Sequence, residues 1–443
     1  MSTTSTTVDR SPRQARKVAM ATLIGTTIEW YDFYLYGVAA ALIFAPQFFP
    51  AVSSTTGTLA AFATFGVGFF ARPLGALVFG HFGDRVGRKG VLVWSLILTG
   101  VGTFAVGILP GYASIGLAAP ILLVLLRLVQ GFGVGGEWGG AVLMAGEHAP
   151  EGQRGRYAGW PQFGSGGGLL LANGVFLGTR LMLDDAQFAN WGWRVPFLLS
   201  AVLVVFGLVI RARLTESPEF ERLKAERGVA KNPLRAVITT APRTLLLVAG
   251  VFLLNNTAFF VTNTFGLAYV TKTIGVSSST GLAAVMLGAV TLCFGIIYFS
   301  NLSDRVGGKR LIAGLYACWL PYSFIFFLLL KTGSTPLVYL AMAIGMLLTS
   351  AYGPMGAYLQ EQFPTRVRYM GVSVAVQIGS VIGGGFGPLL AAKLSSSYGI
   401  WSVSAYVAFI TAVSLACTLA LGDRGGRATE EHDRPRRPAA RAI

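Results

Sequence analysis

Twelve long apolar runs fill most of this 443-residue sequence, with only short polar or glycine-rich breaks between them. A helix needs roughly 20 apolar residues to cross hydrocarbon about 30 Å thick. Only 12% of the residues are charged, whereas an ordinary soluble protein has about 25%. The sequence therefore predicts an all-α membrane protein with twelve transmembrane helices, and it excludes an ordinary soluble fold.

The predicted spans have these approximate limits: 18–45, 57–80, 89–110, 117–143, 157–180, 194–212, 244–270, 281–302, 310–330, 336–359, 368–392 and 400–421. The longest polar stretch between spans lies near the middle of the chain and predicts a charged linker with a short amphipathic helix. Five parts follow: an N-terminal tail (1–17), a six-helix bundle (18–212), the linker (213–243), a second six-helix bundle (244–421) and a C-terminal tail (422–443).

The net charge of +16 is explained by where the basic residues fall along the chain. If both chain ends lie on one side of the membrane, that side receives 28 of the 35 Lys and Arg, the other side receives 5, and 2 lie within spans. The positive-inside rule then predicts cytoplasmic termini in a bacterial-type inner (plasma) membrane. The basic excess indicates topology, and no nucleic-acid partner is predicted.

Two short elements of the first half recur in the second. "GHFGDRVGRKG" (80–90) is echoed by "SNLSDRVGGKR" (300–310), and "EHAPEGQRGRYAG" (147–159) is echoed by "EQFPTRVRYMG" (361–371). Each echo occupies the same place in its half, which indicates a parallel duplication of six helices. Duplicated halves of this kind build one large class of secondary transporters, in which the substrate is held near the midplane between them.

"GHFGDRVGRK" resembles the loop signature of the major facilitator superfamily. "GTTIEWYDFYLYG", "RLVQGFGVGGEWGGA", "WGWRVPFLLS" and "LTESPEF", which follow in this order through the first half, resemble the metabolite:proton symporter family within it. Known members of that family carry 2-oxoglutarate, citrate, shikimate, or proline and betaine. The resemblance implies the major facilitator fold, with spans 1, 4, 7 and 10 around a central cavity, and proton-coupled transport by alternating access.

Five charged residues stand inside predicted spans: Glu29, Asp32, Arg72, Arg127 and Glu137. A charge at the bilayer centre costs about 2.5–3.5 kcal/mol on insertion scales, so such residues mark a pathway by default. At the rise of an α-helix, Asp32 lies roughly 21 Å from the cytoplasmic start of span 1, and Arg127 lies roughly 15 Å from the outer start of span 4. We therefore expect the two to share a level and to face each other.

This pair suggests how substrate and proton would be coupled. An acid beside Arg127 stays ionised, but it would bind a proton once a substrate carboxylate takes over the guanidinium. The coupling must then be reciprocal. The alternatives are structural: Asp32 and Arg127 could form a helix-locking ion pair, Arg72 could bond carbonyls freed by Pro73, and Glu137 could serve the loop machinery. Glu29 is either a proton carrier or a structural acid.

We predict that substrate and proton are bound by polar residues of spans 1, 2, 4 and 7: Glu29, Asp32, Tyr36, Arg72, Arg127, Gln130, Glu137, Asn255 and Asn256. Helical spacing supports a polar stripe on one face of span 4, where Arg127, Gln130 and Glu137 recur in phase. Glycines beside that stripe permit close helix approach. The two asparagines would shape substrate choice or pack. Tyr36 belongs to an aromatic group that would line the site, cage a cation or pack.

The predicted gate consists of the loop element and its partners: Gly80, Gly83, Asp84, Arg85, Gly87, Arg88, Lys89, Glu147, Asp304 and Arg305. The three glycines are expected to allow a tight reversal, because glycine tolerates positive φ. Asp84 is expected to face the positive N-terminal end of a neighbouring helix, and the basic residues are expected to pair with acids such as Glu147. The family resemblance implies a cytoplasmic latch that stabilises the outward-open state.

The predicted function is proton-coupled uptake of a small organic acid, with the proton as coupling ion and no cofactor. The alternative substrate is a zwitterion such as proline or betaine, which also carries a carboxylate. An exporter is disfavoured because span 5 lacks the Gly-Pro pair of antiporters; Gly387-Pro388 lies in span 11. An enzyme is disfavoured because HExxH, GxSxG and phosphate-loop motifs are missing, and "GFGVGG" follows no strand. The predicted partners are a carboxylate substrate and membrane lipid; no oligomeric state is predicted.

Overall fold

The structure, a computed structural model, describes residues 12–50, 54–212, 214–225 and 232–422. Within these ranges all regular elements are helical, and twelve of the helices are long. The outer parts of the two predicted tails, residues 1–11 and 423–443, lie outside the described residues.

The long helices are numbered in chain order. The first half contains α1 (Pro12–Leu42), α2 (Ser54–Arg85), α3 (Arg88–Ile108), α4 (Ala118–Glu147), α5 (Arg154–Met182) and α6 (Gly192–Ala212). The second half contains α7 (Pro242–Thr273), α8 (Ser278–Val306), α9 (Gly308–Lys331), α10 (Thr335–Gln360), α11 (Thr365–Tyr398) and α12 (Ile400–Ala420). Two short helices, Pro218–Ala225 and Pro233–Thr240, occupy the linker. Each predicted span overlaps one long helix.

The helices are suited to a membrane by length and composition. Nine of the long helices in the described part of the chain, α3, α4 and α6 to α12, are apolar enough to cross one. The other three, α1, α2 and α5, also overlap predicted spans, and two of them supply charged residues that lie between the helices. The predicted fold class, an all-α membrane protein of two six-helix bundles, is confirmed.

The two halves meet through symmetric helix pairs. α2 lies along α11, and α8 lies along α5. Because α8 is the duplicate of α2 and α11 is the duplicate of α5, the two contacts are copies of one another. The interface between the halves is therefore built twice from the same repeated parts.

Close approach of α2 and α4 depends on glycine. A Cβ at Gly131 would collide with the backbone of Gly68, and a Cβ at Gly135 would collide with the carbonyl oxygen of Arg72. The close packing predicted for the glycines of span 4 is confirmed. It also fixes the backbone of Arg72 against α4, which places its side chain between the halves.

The reversal between α2 and α3 is shorter than predicted. α2 remains helical to Arg85, and α3 begins at Arg88, so only two residues make the turn. Of the three glycines expected to supply positive φ, only Gly87 does so, at φ 126°. Gly80 and Gly83 are helical, and the expectation for them was wrong: each faces α11, where a Cβ would press on Met370 or Tyr369. Their role is close packing between the halves.

Several helices of the second half contain irregular turns. α7 contains π-helical turns at Val261–Phe265 and Tyr269–Thr273, and α11 contains one at Val381–Gly385. α10 is interrupted between Thr349 and Tyr352. Such irregular turns frequently accompany functional sites, because they redirect side chains out of the regular helical array.

Replacing Gly135 with Ala should destabilise the first half, since the new methyl group would force α2 and α4 apart. Overpacking of this kind costs about 1–3 kcal/mol. Thermal unfolding of the purified protein in detergent would measure the loss. The matched control is Gly314→Ala in α9, where a Cβ would meet nothing within 4 Å; equal melting temperatures for both variants would contradict the close-packing argument.

Candidate functional site

The end of the molecule that carries the two linker helices is called the linker face. α1 starts there, because Gln14 Nε2 near its first turn donates a hydrogen bond of 2.9 Å to Thr215 Oγ1 of the linker. α7 starts there as well, at Pro242 directly after the second linker helix. Successive residues of α1 and α7 therefore lead away from the linker face and toward the opposite face.

A central cavity lies between the two halves and has an empty volume of about 600 Å³, a figure that includes space open to solvent. Its lining comes from both halves: Glu29, Trp30, Arg72, Val134, Trp138 and Ser165 from the first, and Phe252, Asn255, Asn256, Phe259, Leu292, Thr349, Tyr352, Val376, Gln377 and Ser380 from the second. α1, α4, α7 and α10 contribute, as the family resemblance implies. α2, α5, α8 and α11 contribute too.

Arg72 is the cation of this cavity. Its side chain is 7% exposed, and its guanidinium carbon lies 4.3 Å from the ring centre of Phe69 and 4.8 Å from that of Phe33. It makes no hydrogen bond or salt bridge with any described residue, and its Nε is buried without a partner. Arg72 thus does not bond carbonyls freed by Pro73. Aromatic faces hold the guanidinium while its hydrogen-bond donors remain available.

Several other polar groups of the cavity have atoms without a hydrogen-bond partner among the described residues. Glu29 is 8% exposed and forms no hydrogen bond or salt bridge with the described part of the chain. The side-chain oxygens of Asn255 and Gln377 are buried and accept no hydrogen bond there. Gln377 Nε2 donates to the carbonyl oxygen of Gly135 at 3.4 Å, which points the amide oxygen away from that contact. Asn256 Nδ2 donates to Ser380 Oγ at 3.2 Å.

Aromatic side chains from both halves cover the cavity toward the opposite face. One helical turn beyond Glu29, Phe33 approaches Phe260 of α7 with ring centres 6.3 Å apart. Trp30 approaches Phe259 at 6.2 Å, and the ring centres of Phe69 and Phe260 are 5.8 Å apart. We call this group, Trp30, Phe33, Phe69, Phe259 and Phe260, the aromatic cover.

A second aromatic group lies on the linker side of the cavity. Trp138 of α4 meets Phe252 of α7 at 5.3 Å and Tyr352 of α10 at 6.3 Å between ring centres. Because these contacts also join the two halves, the cavity is bounded by aromatic contacts between halves in both directions. Its position halfway along the helices suits a site that must be reached from either face in turn.

A smaller side chamber within the first half adjoins the central cavity. It is lined by Glu29, Asp32, Phe33, Gly68, Arg72, Thr99, Arg127, Gln130, Gly131 and Val134. Glu29, Arg72 and Val134 line both spaces. The two predicted acids and the two predicted arginines are thereby brought together, but only Glu29 and Arg72 reach the central cavity.

Asp32 and Arg127 share the side chamber without pairing directly. Asp32 is 1% exposed, and neither of its carboxylate oxygens makes a hydrogen bond or a salt bridge with a described residue. The Thr103 hydroxyl and the Arg127 guanidinium are nevertheless near enough to act on it electrostatically. Arg127 lies over the ring of Tyr36 at 4.3 Å, and Tyr36 donates a hydrogen bond of 2.8 Å to Thr64.

Glu137 lies apart from both cavities, nearer the linker face. It forms an ion pair with Arg211 at the end of α6 and accepts a hydrogen bond of 2.5 Å from Ser95 of α3. Arg211 is fully buried. Arg211 falls within the predicted sixth span (194–212), but sequence reasoning gave it no role; its burial beside Glu137 makes it the partner of that acid. The contacts of Glu137 thus join α3, α4 and α6.

Two aspartates cap helices of the opposite half at the linker face. Asp84 of α2 accepts hydrogen bonds of 3.1 and 2.9 Å from the backbone N–H groups of Tyr369 and Met370, near the start of α11. Asp304 of α8 accepts bonds of 2.6 and 2.8 Å from the backbone N–H groups of Gly155 and Arg156, at the start of α5. A carboxylate at a helix N-terminus satisfies unpaired donors and complements the helix dipole.

A buried ionic group reinforces these caps. Arg88 forms an ion pair with Glu147, and Arg368 of the second half approaches the other oxygen of Glu147 at 3.3 Å. Ser217 of the linker donates to Glu147 and accepts from Arg88 at 2.8 Å. One carboxylate, Glu147, thus binds the first half, the second half and the linker together.

The linker contributes two further acids. Glu216 accepts bonds of 3.0 and 3.1 Å from the backbone N–H groups of Arg88 and Lys89, and so caps α3. Glu219 forms ion pairs with Arg154 of α5 and Arg368 of α11. Burial would raise the pKa of Glu219, but the positive charges of Arg368, Arg154 and Arg88 outweigh it and hold the pKa at about 2. We call Asp84, Asp304, Glu147, Glu219 and their partners the latch.

The remaining predicted gate residues lie at the edge of the latch. Arg85 contacts the ring of His81 at 3.1 Å, and Lys89 Nζ donates to the carbonyl oxygen of Ala212 at 2.8 Å. The side-chain contacts of these two basic residues are therefore not with acids, although pairing with acids was expected. Arg305 is exposed. Sequence reasoning missed Glu219 and Arg368. Glu219 lies in the motif "LTESPEF", to which sequence reasoning assigned no role. In "EQFPTRVRYMG" (361–371), Arg366 is exposed and Arg368 is the buried cation.

Replacing Glu219 with Gln should loosen the latch, because the buried Arg368 and the half-buried Arg154 lose a carboxylate. Leaving a buried charged group unsatisfied costs about 1–3 kcal/mol. Spin labels at positions 90 and 366, in a background without the three native cysteines, should report a longer distance across the linker face. Glu221→Gln, an exposed position on the same helix, should leave that distance unchanged.

The pKa of Glu219 sets the pH range of this effect. Its folded pKa lies below the ordinary value of 4.5, so its contribution to stability is complete above the ordinary value and is lost only as the pH falls toward about 2. The wild-type distance should therefore stay constant from pH 6 to pH 8 if Glu219 governs it. A variant distance equal to that of wild type would contradict the role of Glu219.

Two duplicated six-helix halves, with a central cavity bounded by contacts between them, define a membrane transporter of the secondary type. The chain belongs to the major facilitator superfamily, whose family model matches residues 22–384. Its relatives include an inner membrane metabolite transport protein of Escherichia coli (strain K12), 41% identical over 95% of this chain and 98% of the relative. They also include the shikimate transporter of the same organism, 40% identical over 93% and 95%. A third, the proline/betaine transporter of Salmonella typhimurium, is 31% identical over 93% and 84%.

Among solved structures, the chain resembles the proton:xylose symporter XylE bound to 6-bromo-6-deoxy-D-glucose. The TM-score is 0.73 at 17% identity, over 92% of this chain and 95% of that one. At this identity the likeness shows the fold alone. The relatives named above are transporters, which confirms the prediction that the chain is a transporter and not an enzyme.

Proposed function

We propose that this transporter takes up a small organic acid together with a proton, by alternating access of the central cavity. The observation that carries the proposal is Arg72, a buried guanidinium in the cavity that forms no salt bridge or hydrogen bond with a described residue. Leaving a cation unpaired inside a membrane protein costs several kcal/mol. A substrate carboxylate would offset that cost, and the planar donors of arginine suit a carboxylate bidentately.

Glu29 and Asp32 are the proposed proton carriers. An ionised carboxylate without hydrogen bonds is far more unfavourable at such burial than its protonated form. Asp32 meets that description, and Glu29 lies between it and the central cavity because it lines both spaces. A proton could pass from the central cavity by way of Glu29 to Asp32. The positive charge of Arg127 would then act on Asp32 within the side chamber, while Arg72 binds the substrate.

Alternating access would work through the two closures of the cavity. The latch holds the linker face closed in this structure, and the aromatic cover lies toward the opposite face. Opening the aromatic cover would admit substrate and proton, and releasing the latch would discharge them. With most basic residues on the linker side, the positive-inside rule places that face and both termini in the cytoplasm of a bacterial-type inner membrane.

Arg72→Gln should lower uptake at subsaturating substrate roughly 30-fold or more, as expected when one partner of a buried charge pair is removed. Arg72→Lys should recover part of the activity, because it keeps the charge but loses the planar fork. Initial uptake rates in proteoliposomes with an imposed proton gradient would measure both. Arg243→Gln, at an exposed position, is the control, and full activity of Arg72→Gln would refute the assigned role.

Asp32→Asn should abolish gradient-driven accumulation while it preserves exchange of labelled for unlabelled substrate, because a neutral amide mimics the protonated acid but cannot release the proton. The same proteoliposomes would show this difference. The exposed control Asp184→Asn should behave as wild type in both assays. If Asp32→Asn still accumulates substrate, the proton is carried elsewhere, and Glu29→Gln becomes the decisive variant.

A zwitterionic osmolyte is the second candidate substrate. A carboxylate could bind Arg72, and the aromatic rings around the cavity could accommodate a cationic ammonium group. A relative that transports proline and betaine supports this candidate, and a shikimate transporter supports the acid. Uptake of labelled shikimate, 2-oxoglutarate, proline and glycine betaine, each with and without the gradient, would decide between them. No gradient-dependent uptake of any would refute the proposed function.

A further inference from the structure

One aromatic ring, that of Phe33 in α1, lies close to both buried arginines at the centre of the molecule. The guanidinium carbon of Arg72 lies over this ring at 4.8 Å from its centre, and that of Arg127 lies over it at 5.2 Å. Phe33 is only 3% exposed. A cation within about 6 Å of a ring centre is attracted by the ring quadrupole, most strongly where water is excluded. Phe33 therefore attracts both guanidinium groups at once.

The two arginines belong to different parts of the site. Arg72 lines both the central cavity and the side chamber, whereas Arg127 lines the side chamber with Asp32. Each arginine has a further aromatic contact: Arg72 lies over Phe69 at 4.3 Å, and Arg127 lies over Tyr36 at 4.3 Å. The ring of Phe33 thus joins the cation of the central cavity to the cation beside Asp32.

The same ring takes part in the contact between the two halves. Phe33 approaches Phe260 of α7 with ring centres 6.3 Å apart, and it approaches Phe69 of α2 at 5.5 Å. Because Phe33 and Phe260 belong to opposite halves, separation of the halves at the aromatic cover would break their contact. The position of the Phe33 ring therefore depends on the conformation of the transporter.

We propose that Phe33 is a positioning residue that links Arg72, where the substrate binds, to Arg127 and Asp32, where the proton binds. This inference rests on the proposed function and adds a residue to it. The ring holds the guanidinium of Arg72 by its face, which leaves the N–H donors available to a carboxylate. It also holds Arg127 where that residue forms no ion pair with Asp32, whose carboxylate oxygens have no described partner.

A ring shared by two cations makes their positions dependent on each other. A substrate carboxylate that binds Arg72 draws this guanidinium toward the central cavity and weakens its contact with Phe33. The ring then attracts mainly Arg127, so binding in the central cavity alters the surroundings of Asp32. Closure of the aromatic cover restores the ring to its place against Phe260, which connects both binding events to the change of conformation.

The test weakens the ring quadrupole while it nearly preserves the shape of the side chain. Phe33 is replaced with mono-, di- and trifluorinated phenylalanine by suppression of a stop codon, since fluorine withdraws electron density from the ring face. The full-length protein is assayed in proteoliposomes. The probe is whichever of labelled shikimate, 2-oxoglutarate, proline and glycine betaine the wild-type protein accumulates when a proton gradient is imposed.

Two quantities should change in step with the number of fluorine atoms. The KM for substrate should rise at least threefold for the trifluorinated ring, while the maximal exchange rate changes less than twofold, as expected for a loss of binding. The number of protons taken up with each substrate, measured with a pH-sensitive dye, should fall by at least half. An Arg127 released from the ring can pair with Asp32, and an acid so paired keeps its charge when substrate is bound.

The matched control is the same fluorinated series at position 260. Phe260 belongs to the aromatic cover and meets the rings of Phe33 and Phe69, but no cation of the described residues is recorded over its own ring. Fluorination of Phe260 disturbs contacts between rings and not contacts with cations. The KM and the proton ratio should therefore stay within twofold of the wild-type values.

Failure of the inference is distinct from failure of the proposed function. A KM and a proton ratio that stay constant through the Phe33 series would overturn the role of Phe33 and leave proton-coupled uptake standing. A rise of the KM alone would overturn the link to Asp32, and equal effects at positions 33 and 260 would show packing instead of attraction to cations. Absence of gradient-driven uptake of all four compounds by the wild-type protein would overturn the proposed function itself.

Discussion

The burial of two arginines and two acids in a largely apolar bundle is the constraint on which the centre of this molecule depends. Glu29, Asp32, Arg72 and Arg127 line two adjoining spaces, and no salt bridge is recorded among these four residues. The guanidinium of Arg72 lies over the ring of Phe69, and that of Arg127 lies over the ring of Tyr36. Burial of this many charged groups is costly in isolation. In the proposed function, a ligand and a proton offset that cost during each cycle.

The latch differs from the central cavity in that its charged groups are paired with one another. At the linker face, charged groups are paired densely: Glu147 and Glu219 each contact basic residues from both halves, and Asp84 and Asp304 cap helices across the interface. Because the caps are symmetric copies, releasing one half from the other requires both to break. In the proposed function, the densely paired latch holds one conformation, and the central cavity binds the substrate.

The sequence predicted much of this architecture. Charges inside apolar runs identified Arg72 and Glu29, and the glycines of span 4 predicted close approach of another helix. Other features depend on tertiary structure. Counting residues along each helix predicted that Asp32 and Arg127 share a level. It could not predict the rotation of the helices about their axes, which directs both side chains into the side chamber. Gly80 and Gly83 were expected to bend the chain, although they pack against α11. The partnership of Glu137 with Arg211 was not predicted, because it depends on how the helices pack against one another.

Charge balance connects the cavity to coupling. With both acids ionised, the four central residues sum to zero, so an anionic substrate alone would bring a net negative charge into a low-dielectric space, where uncompensated charge is expensive. One proton on Glu29 or Asp32 restores neutrality, and a proton without substrate unbalances it in the other direction. In the proposed function, the loaded and empty carriers are therefore the two neutral states. Substrate transport and proton transport are then coupled because only these two neutral states change between the outward-facing and inward-facing conformations. No direct contact between proton and substrate is required.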